Sequence, residues 1–305
     1  MRKSLSIILG LGCAVAECIS QAEPLPPALE HMAEVAKQQK GYVYDICMIK
    51  DGKSYVKHVT KSNNCHNTYS VAKAFVVTAI GILQDRKQLS VDDKIYPLFK
   101  DMFPEDVDPL WKEVTIRNLM MHRTGFAPKD NLDIDAMRMT DFPEDHLRHA
   151  FSKKLTYAPG SKSVYTDLSF YILSRVVTAV SGRKLDDFLR DELFRPMKYR
   201  EYALSTCPLG YPIGATGFYI TTEDMAKLGL LYLQKGVYNG KRILSEDFVN
   251  QALGTFELHK TMGGYAKGGM AGQLLYFNYD KNVVIAIHGF NDSPTDIIKA
   301  VLDEL

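Results

Sequence analysis

Apolar and polar positions change rhythm several times along the chain. Residues 28–40 repeat apolar side chains every three to four positions, which predicts an amphipathic helix. Residues 42–50 and 54–60 are rich in Tyr, Val and Ile and flank Asp51-Gly52. That dipeptide supplies the positive φ angles of a tight turn, so the two runs predict an antiparallel hairpin. Residues 70–83 differ from both. Val71, Ala72, Ala74, Phe75, Val76, Val77, Ala79, Ile80, Ile82 and Leu83 cover a helix on every side, and a helix that is apolar all round is buried. The middle of the chain is mostly helical in pattern, over 115–121, 145–153, 167–180 (stopped by Ser181-Gly182) and 184–193. Residues 221–235 and 245–253 continue as helices. Residues 267–278 and 283–289 then flank 279–282 as a second hairpin. Ser293-Pro294 starts a last helix, with Ser as N-cap and Pro in the first turn.

Strands at both ends around a helical middle predict an α/β (α+β) fold. Its antiparallel sheet, flanked by helices, is built from both termini, and a mostly helical domain is inserted. The boundaries read as 26–68 and 210–305 for the α/β part and 69–209 for the insertion. Residues 1–22 form a candidate signal segment. Arg2 and Lys3 precede an apolar run to Ala16, and Ala14-Val15-Ala16 offers a small-residue cleavage point. The run is too short to span a bilayer. The alternative is an N-terminal helix or strand packed on the domain. Export to the periplasm or exterior follows from the first reading and a cytoplasmic protein from the second.

Composition narrows the class without choosing a chemistry. Apolar residues make up 46% and charged residues 24%, which excludes a disordered or fibrous chain. Lys and Arg total 37 against 36 Asp and Glu, so no basic excess recommends nucleic acid. Five cysteines without paired CxxC spacing suit neither a disulfide scaffold nor a structural zinc site. Cleavage after Ala16 would leave Cys18, Cys47, Cys65 and Cys207, whose spacing says nothing about pairing. His146 and His149 share a helix face, but Asp145, Arg148 and the lack of a clear third ligand favour a solvated face over a metal site. His122 is expected to brace a turn, and His288 to sit in or at the rim of the core. No metal and no cofactor is expected, and the oligomeric state is not legible.

Ser-x-x-Lys occurs at Ser54/Lys57, Ser70/Lys73 and Ser181/Lys184. The first pair lies on a predicted strand, where residues three apart face opposite sides. The third follows a helix, and Gly182 suits a cap. Only Ser70 opens the buried helix, with Lys73 on the same face. Lys73 is the sole charge between His66 and Asp85. Burying an ammonium there without purpose is costly, and desolvation makes the side chain a candidate proton acceptor. The plainer alternative is an N-cap serine with a lysine that snorkels out.

Two further segments complete a pattern. Pro159-Gly160-Ser161-Lys162-Ser163-Val164-Tyr165-Thr166-Asp167 resembles the Tyr-x-Asn box that follows a Pro-Gly turn in serine β-lactamase-like proteins. Ala266-Lys267-Gly268-Gly269-Met270 resembles their Lys-Thr-Gly strand. The order of the three boxes resembles class C β-lactamases, the related DD-peptidases (penicillin-binding proteins) and their esterase relatives. His122-Arg123-Thr124-Gly125-Phe126 is similar to their His-Thr-Ser-Gly-Leu segment, and Gly214-Ala215-Thr216-Gly217 to their Gly-rich entry to a helix. The likeness runs in order over residues 28–304, and no Gly-x-Ser-x-Gly elbow supports the α/β-hydrolase fold.

The resemblance implies a β-lactamase-like fold and a serine acyl hydrolase without cofactor. Ser70 would form an acyl-enzyme. Tyr165, as phenolate or through Lys73, would take and return the proton, helped by the cations Lys73 and Lys267. The N–H groups of Ser70 and Met270 would form the oxyanion hole, and Gly269 would let substrate approach the strand. Two departures stand out. Asp167 replaces the Asn; it either lines the site, favouring a cationic substrate, or simply caps the following helix. Gly268 replaces the Thr whose hydroxyl the family uses to hold a substrate carboxylate. Esters, amides and D-amino-acid peptides are therefore expected ahead of β-lactams. The alternative is a catalytically silent penicillin-binding or sensor module on the same fold.

Overall fold

The computed structural model describes residues 24–62, 65–130 and 143–305. The expected leader, with Cys13 and Cys18, lies outside the described residues. Cys47, Cys65 and Cys207 are free thiols.

Helix α1 (Pro27–Gln38) leads into strands β1 (Gly41–Lys50) and β2 (Lys53–His58). Asp51 at φ 49° and Gly52 at φ 80° both take left-handed backbone, which makes the tight hairpin the Asp-Gly pair predicts. The middle of the chain holds β3 (His66–Asn67), α2 (Ala72–Asp85), α3 (Ile116–Met120), α4 (His146–Phe151), α5 (Asp167–Ser181), α6 (Leu185–Leu189) and β4 (Tyr202–Leu204). β5 (Phe218–Ile220), α7 (Thr222–Leu233), the small hairpin β6 (Val237–Tyr238) and β7 (Lys241–Arg242), and α8 (Glu246–Ala252) follow. β8 (His259–Thr261), β9 (Gly264–Gly269), β10 (Gln273–Asn278), β11 (Val283–Asn291) and α9 (Pro294–Lys299) close the chain.

The main sheet has the order β2-β1-β11-β10-β9-β8, and its neighbours run antiparallel. Both chain ends therefore build it. Its two faces are both covered over the central strands, so β1, β10 and β11 are buried on both sides. Ile46, Met48, Ile285 and Ile287 pack toward α1 and α9, against Leu29, Met32, Ile297 and Ile298. Cys47, Ile49, Val284 and Ala286 enter the larger core with α2, α5 and α7. That one-residue alternation is the strand period.

Two details differ from the sequence pattern. Residues 267–278 are not one strand. A 3-10 turn at Met270–Gly272 folds them into β9 and β10, with Ala271 at φ 57° and Gly272 at φ 82°. Lys267 thus pairs with Leu275 on β10, and of these two strands β10 is the one that pairs with β11. Ser293 stands where an N-cap belongs, with Pro294 in the first turn, but its side chain makes no capping bond.

Candidate active site

Residues Ala72 to Leu83 of α2 are all buried, Lys73 included at 0% exposure. A 3-10 turn, Tyr69–Val71, precedes the helix and carries Ser70. Tyr69 is left-handed at φ 46°. Asn67 Oδ1 holds this turn by accepting from Tyr69 N at 2.9 Å and from Gly217 N at 3.1 Å. The glycine-rich segment before β5 is thereby fastened to the start of α2.

Lys73 Nζ donates to Ser70 Oγ at 3.0 Å, to Asp167 Oδ1 at 2.7 Å and to the Ala215 carbonyl at 2.8 Å. Three acceptors match the three donors of an ammonium. The alternative of a lysine that snorkels out fails, because Lys73 is fully buried and its ammonium is held inside. Ser70 Oγ lies 2.6 Å from Tyr165 Oη.

Tyr165 sits in the extended segment that enters α5. Gly160 N donates to Arg123 O and Val164 N to His122 O, both at 2.8 Å, which ties the Tyr box to the His122 turn. Thr166 is the N-cap of α5, its Oγ1 accepting from Leu168 N at 3.3 Å. Asp167 is therefore neither the cap nor a substrate-facing carboxylate. It is buried at 3% exposure and turned to Lys73, so its charge is already matched and gives no reason to expect a cationic substrate.

On the sheet side, Lys267 of β9 is also buried, and its ammonium pairs with the buried carboxylate of Glu257. His122 Nε2 lies 2.9 Å from the other oxygen of Glu257. His122 Nδ1 accepts from Thr166 N at 3.4 Å, which leaves Nε2 to carry the proton that faces Glu257. The His122 ring packs on the Tyr165 ring with centroids 4.4 Å apart. The ammonium of Lys73 stands 4.9 Å from the Tyr165 ring centre and that of Lys267 stands 5.9 Å from it.

Four charges thus surround the phenol, two of each sign. Desolvation by the protein packed around its hydroxyl is the largest influence on Tyr165, although the residue as a whole is 42% exposed, and raises its pKa above the ordinary 10.0; Lys267 and the Ser70 hydrogen bond pull it down, and Asp167 and Glu257 raise it again. The expectation that two cations favour a resting phenolate fails here, because desolvation of the phenol outweighs them and each cation also arrives with a carboxylate. Burial also acts to raise the Glu257 carboxyl, but Lys267 and His122 outweigh it and hold Glu257 well below the ordinary carboxylate range.

The end of β9 packs directly on the Ser70 turn. A Cβ on Gly269 would stand 2.5 Å from Thr68 O and 3.2 Å from Ser70 N. Gly269 therefore lets strand and nucleophile backbone approach each other, a role closer to hand than approach of substrate. Gly268 is different: a Cβ there would meet only Gln273 O at 3.9 Å. Met270 is exposed beside it.

A family model described as Beta-lactamase matches residues 32–296. The chain belongs to the β-lactamase family. A Salmonella agona protein named "Putative D-alanyl-D-alanine carboxypeptidase" is 22% identical over 77% of this chain and 53% of its own length. The chain spans about half the length of the curated relatives it matches. Among solved structures, "Putative 6-aminohexanoate-dimer hydrolase from Bacillus anthracis" shares the fold with a TM-score of 0.73 at 18% identity, over 89% of this chain and 79% of its own. A D-stereospecific amidohydrolase from Streptomyces sp. does so with 0.69 at 16%, over 91% and 98%. These relatives and neighbours are all named for hydrolase activities.

Within this family member, Ser70, Lys73, Tyr165, Asp167 and Lys267 converge on one place, with Gly268, Gly269 and Met270 at its sheet edge. Ala215 and Glu257 belong to the cluster, and His122 joins it rather than merely bracing a turn. Ala215 acts through its carbonyl, which no side-chain pattern reveals. Glu257 lies in a loop without motif, and its one signal is an acidic residue between the apolar positions Phe256 and Leu258. His146 is not on a solvated face. It is fully buried and packs edge-on against Tyr171 with centroids 5.3 Å apart. Among the described residues no group of His, Cys, Asp or Glu is arranged to hold a metal ion, and no helix is long and apolar enough to cross a membrane.

Proposed function

We propose that the protein is a serine acyl hydrolase that cleaves esters, amides or D-amino-acid peptides through an acyl-enzyme on Ser70. One observation carries this reading: Ser70 Oγ lies within hydrogen-bond distance of both Tyr165 Oη and Lys73 Nζ. Nucleophile and base must meet at that range. Ser70 Oγ bonds to the substrate carbonyl carbon while its proton passes to Tyr165 in the phenolate form. Tyr165 then hands the proton to the departing alcohol or amine. Lys73 donates to Ser70 Oγ throughout and offsets the charge that develops there. Water attacks the acyl carbon, gives its proton to Tyr165, and the acid leaves as Ser70 recovers its own. The N–H groups of Ser70 and Met270 receive the carbonyl oxygen in this scheme, and the close approach of Gly269 to Ser70 N supports their nearness.

Natural substrates are drawn from the chemistry named for the relatives, with neutral esters and amides foremost and β-lactams behind them. Intact-mass measurement with a fluorophosphonate, a penicillin and p-nitrophenyl esters tests the reading. A Ser70 adduct and ester turnover, both lost in Ser70→Ala, are expected. A stable penicillin adduct without turnover would instead identify a silent binding module, and a mass unchanged by every probe would remove both.

A further inference from the structure

Glu257 is a buried charged group at this site to which the reaction gives no step. Its residue is 3% exposed, and Lys267 beside it is 5% exposed. Its backbone is left-handed at φ 60°. A residue other than glycine rarely holds that conformation unless its surroundings dictate it. The loop supplies that constraint: Gly254 N donates to Leu258 O at 2.7 Å, and Leu253 bridges Leu258. One carboxylate oxygen faces Lys267 Nζ and the other lies 2.9 Å from His122 Nε2. The carboxylate is thus fixed between two partners and is not free to swing away from the lysine.

The charge count beside Ser70 follows. Lys73 is matched by Asp167 and Lys267 by Glu257, all four buried. An anionic substrate arriving at Lys267 would lie beside the Glu257 carboxylate, which is itself shielded from water. Like charges at that range repel, and the buried carboxylate is the less screened of the two. No hydroxyl at Gly268 offers a compensating bond, although the space for one is open.

We propose that Glu257 is a specificity-determining residue: by neutralising Lys267 it makes the site select acyl donors with no carboxylate beside the scissile bond. The inference rests on the serine hydrolase reading above and deepens it. Glu257 acts through Lys267, so its test must move selectivity and not only rate.

Two substrates with the same butanoyl group separate the possibilities: methyl 3-(butanoyloxy)benzoate and its free acid, 3-(butanoyloxy)benzoic acid. For the full chain, kcat/KM for the neutral ester should exceed that for the acid by about tenfold, and Glu257→Gln should shrink this ratio by about tenfold through a gain on the acid. Glu257→Asp, which keeps the charge, should retain most of the original ratio. A structural role alone would slow both substrates equally and leave the ratio in place, and that result overturns the proposal. Where Glu257→Gln does not fold, the unsubstituted protein decides by itself: a ratio at or below one overturns the proposal and a ratio near ten supports it. Hydrolysis of both substrates with an unmoved ratio removes only the role of Glu257. Failure of both substrates together with no fluorophosphonate adduct on Ser70 removes the hydrolase reading itself.

Discussion

Two buried lysines flank the nucleophile, and they are handled alike in charge but not in contact. On the helix side Lys73 touches Ser70 directly and divides its remaining donors between Asp167 and Ala215. On the sheet side Lys267 reaches Glu257, and through His122 the same carboxylate braces the face of Tyr165. An isolated buried charge is costly, so each cation is accompanied by a carboxylate. The difference lies in what each pair faces. The helix-side pair sets the hydrogen bonding of the attacking oxygen, whereas the sheet-side pair sets the field and the posture of the phenol.

Breaking the two sides separately should expose that division. Lys73→Met should lower kcat for p-nitrophenyl ester hydrolysis by about 10²–10⁴-fold, and a loss under tenfold would mean that Lys73 is scaffold only. Asp167→Ala strands the ammonium in the core and should cost about 3–5 kcal/mol of stability in urea unfolding. Asp167→Asn keeps an acceptor and should cost less.

The phenol sharpens the comparison further. Because the pKa of Tyr165 lies above its ordinary 10.0, the phenolate fraction grows with every step of pH through the alkaline range. The profile of kcat/KM should therefore still rise at about pH 10. Asp167 contributes to that elevation, so Asp167→Asn should move the rise to lower pH. A flat profile between about pH 8 and 10 would rule out Tyr165 as the base.

His288 offers the contrasting solution for a buried base. It is fully buried on β11, its Nδ1 is 2.9 Å from Thr222 Oγ1, and its pKa is depressed to about 3, first by burial and then by His66. Its stabilising contribution is complete above the unfolded value of about 6.5 and is lost progressively as pH falls toward the folded value. Between about pH 7 and 5.5 this should remove roughly 1 kcal/mol of stability. His288→Gln should flatten that part of the curve of unfolding free energy against pH, and an unchanged slope would assign it to other groups.

Much of this arrangement is legible in the sequence because it is carried by side-chain type and local spacing. The all-round apolar helix with one lysine, the Asp-Gly hairpin and the order of the three boxes are local signals. The fold follows from strands at both ends of the chain. What escapes is the set of partners. Glu257 and Lys267 are ten positions apart, and His122 arrives from far away in the chain. Only the folded sheet edge brings them together. The strand over 267–278 is misread for a related reason: Ala271 adopts a left-handed φ that its residue type does not announce, so the turn between β9 and β10 has no Gly-Asn or Asp-Gly signature. Asp167 shows a third kind of difficulty, since an acidic residue at a helix start has an ordinary capping explanation until the Thr166 hydroxyl is seen to occupy that role.

Tyr69, His122, Glu257 and Ala271 each hold a left-handed backbone at or beside the cluster. Glycine at such a position would relieve roughly 1 kcal/mol of backbone strain, and Ala271→Gly, which removes only a methyl group, is the cleanest case. At Ala271 glycine relieves strain and abandons no charge partner, so a variant library sorted by melting temperature would accept it there; at Glu257 the same change strands the buried ammonium of Lys267 and costs more than it relieves.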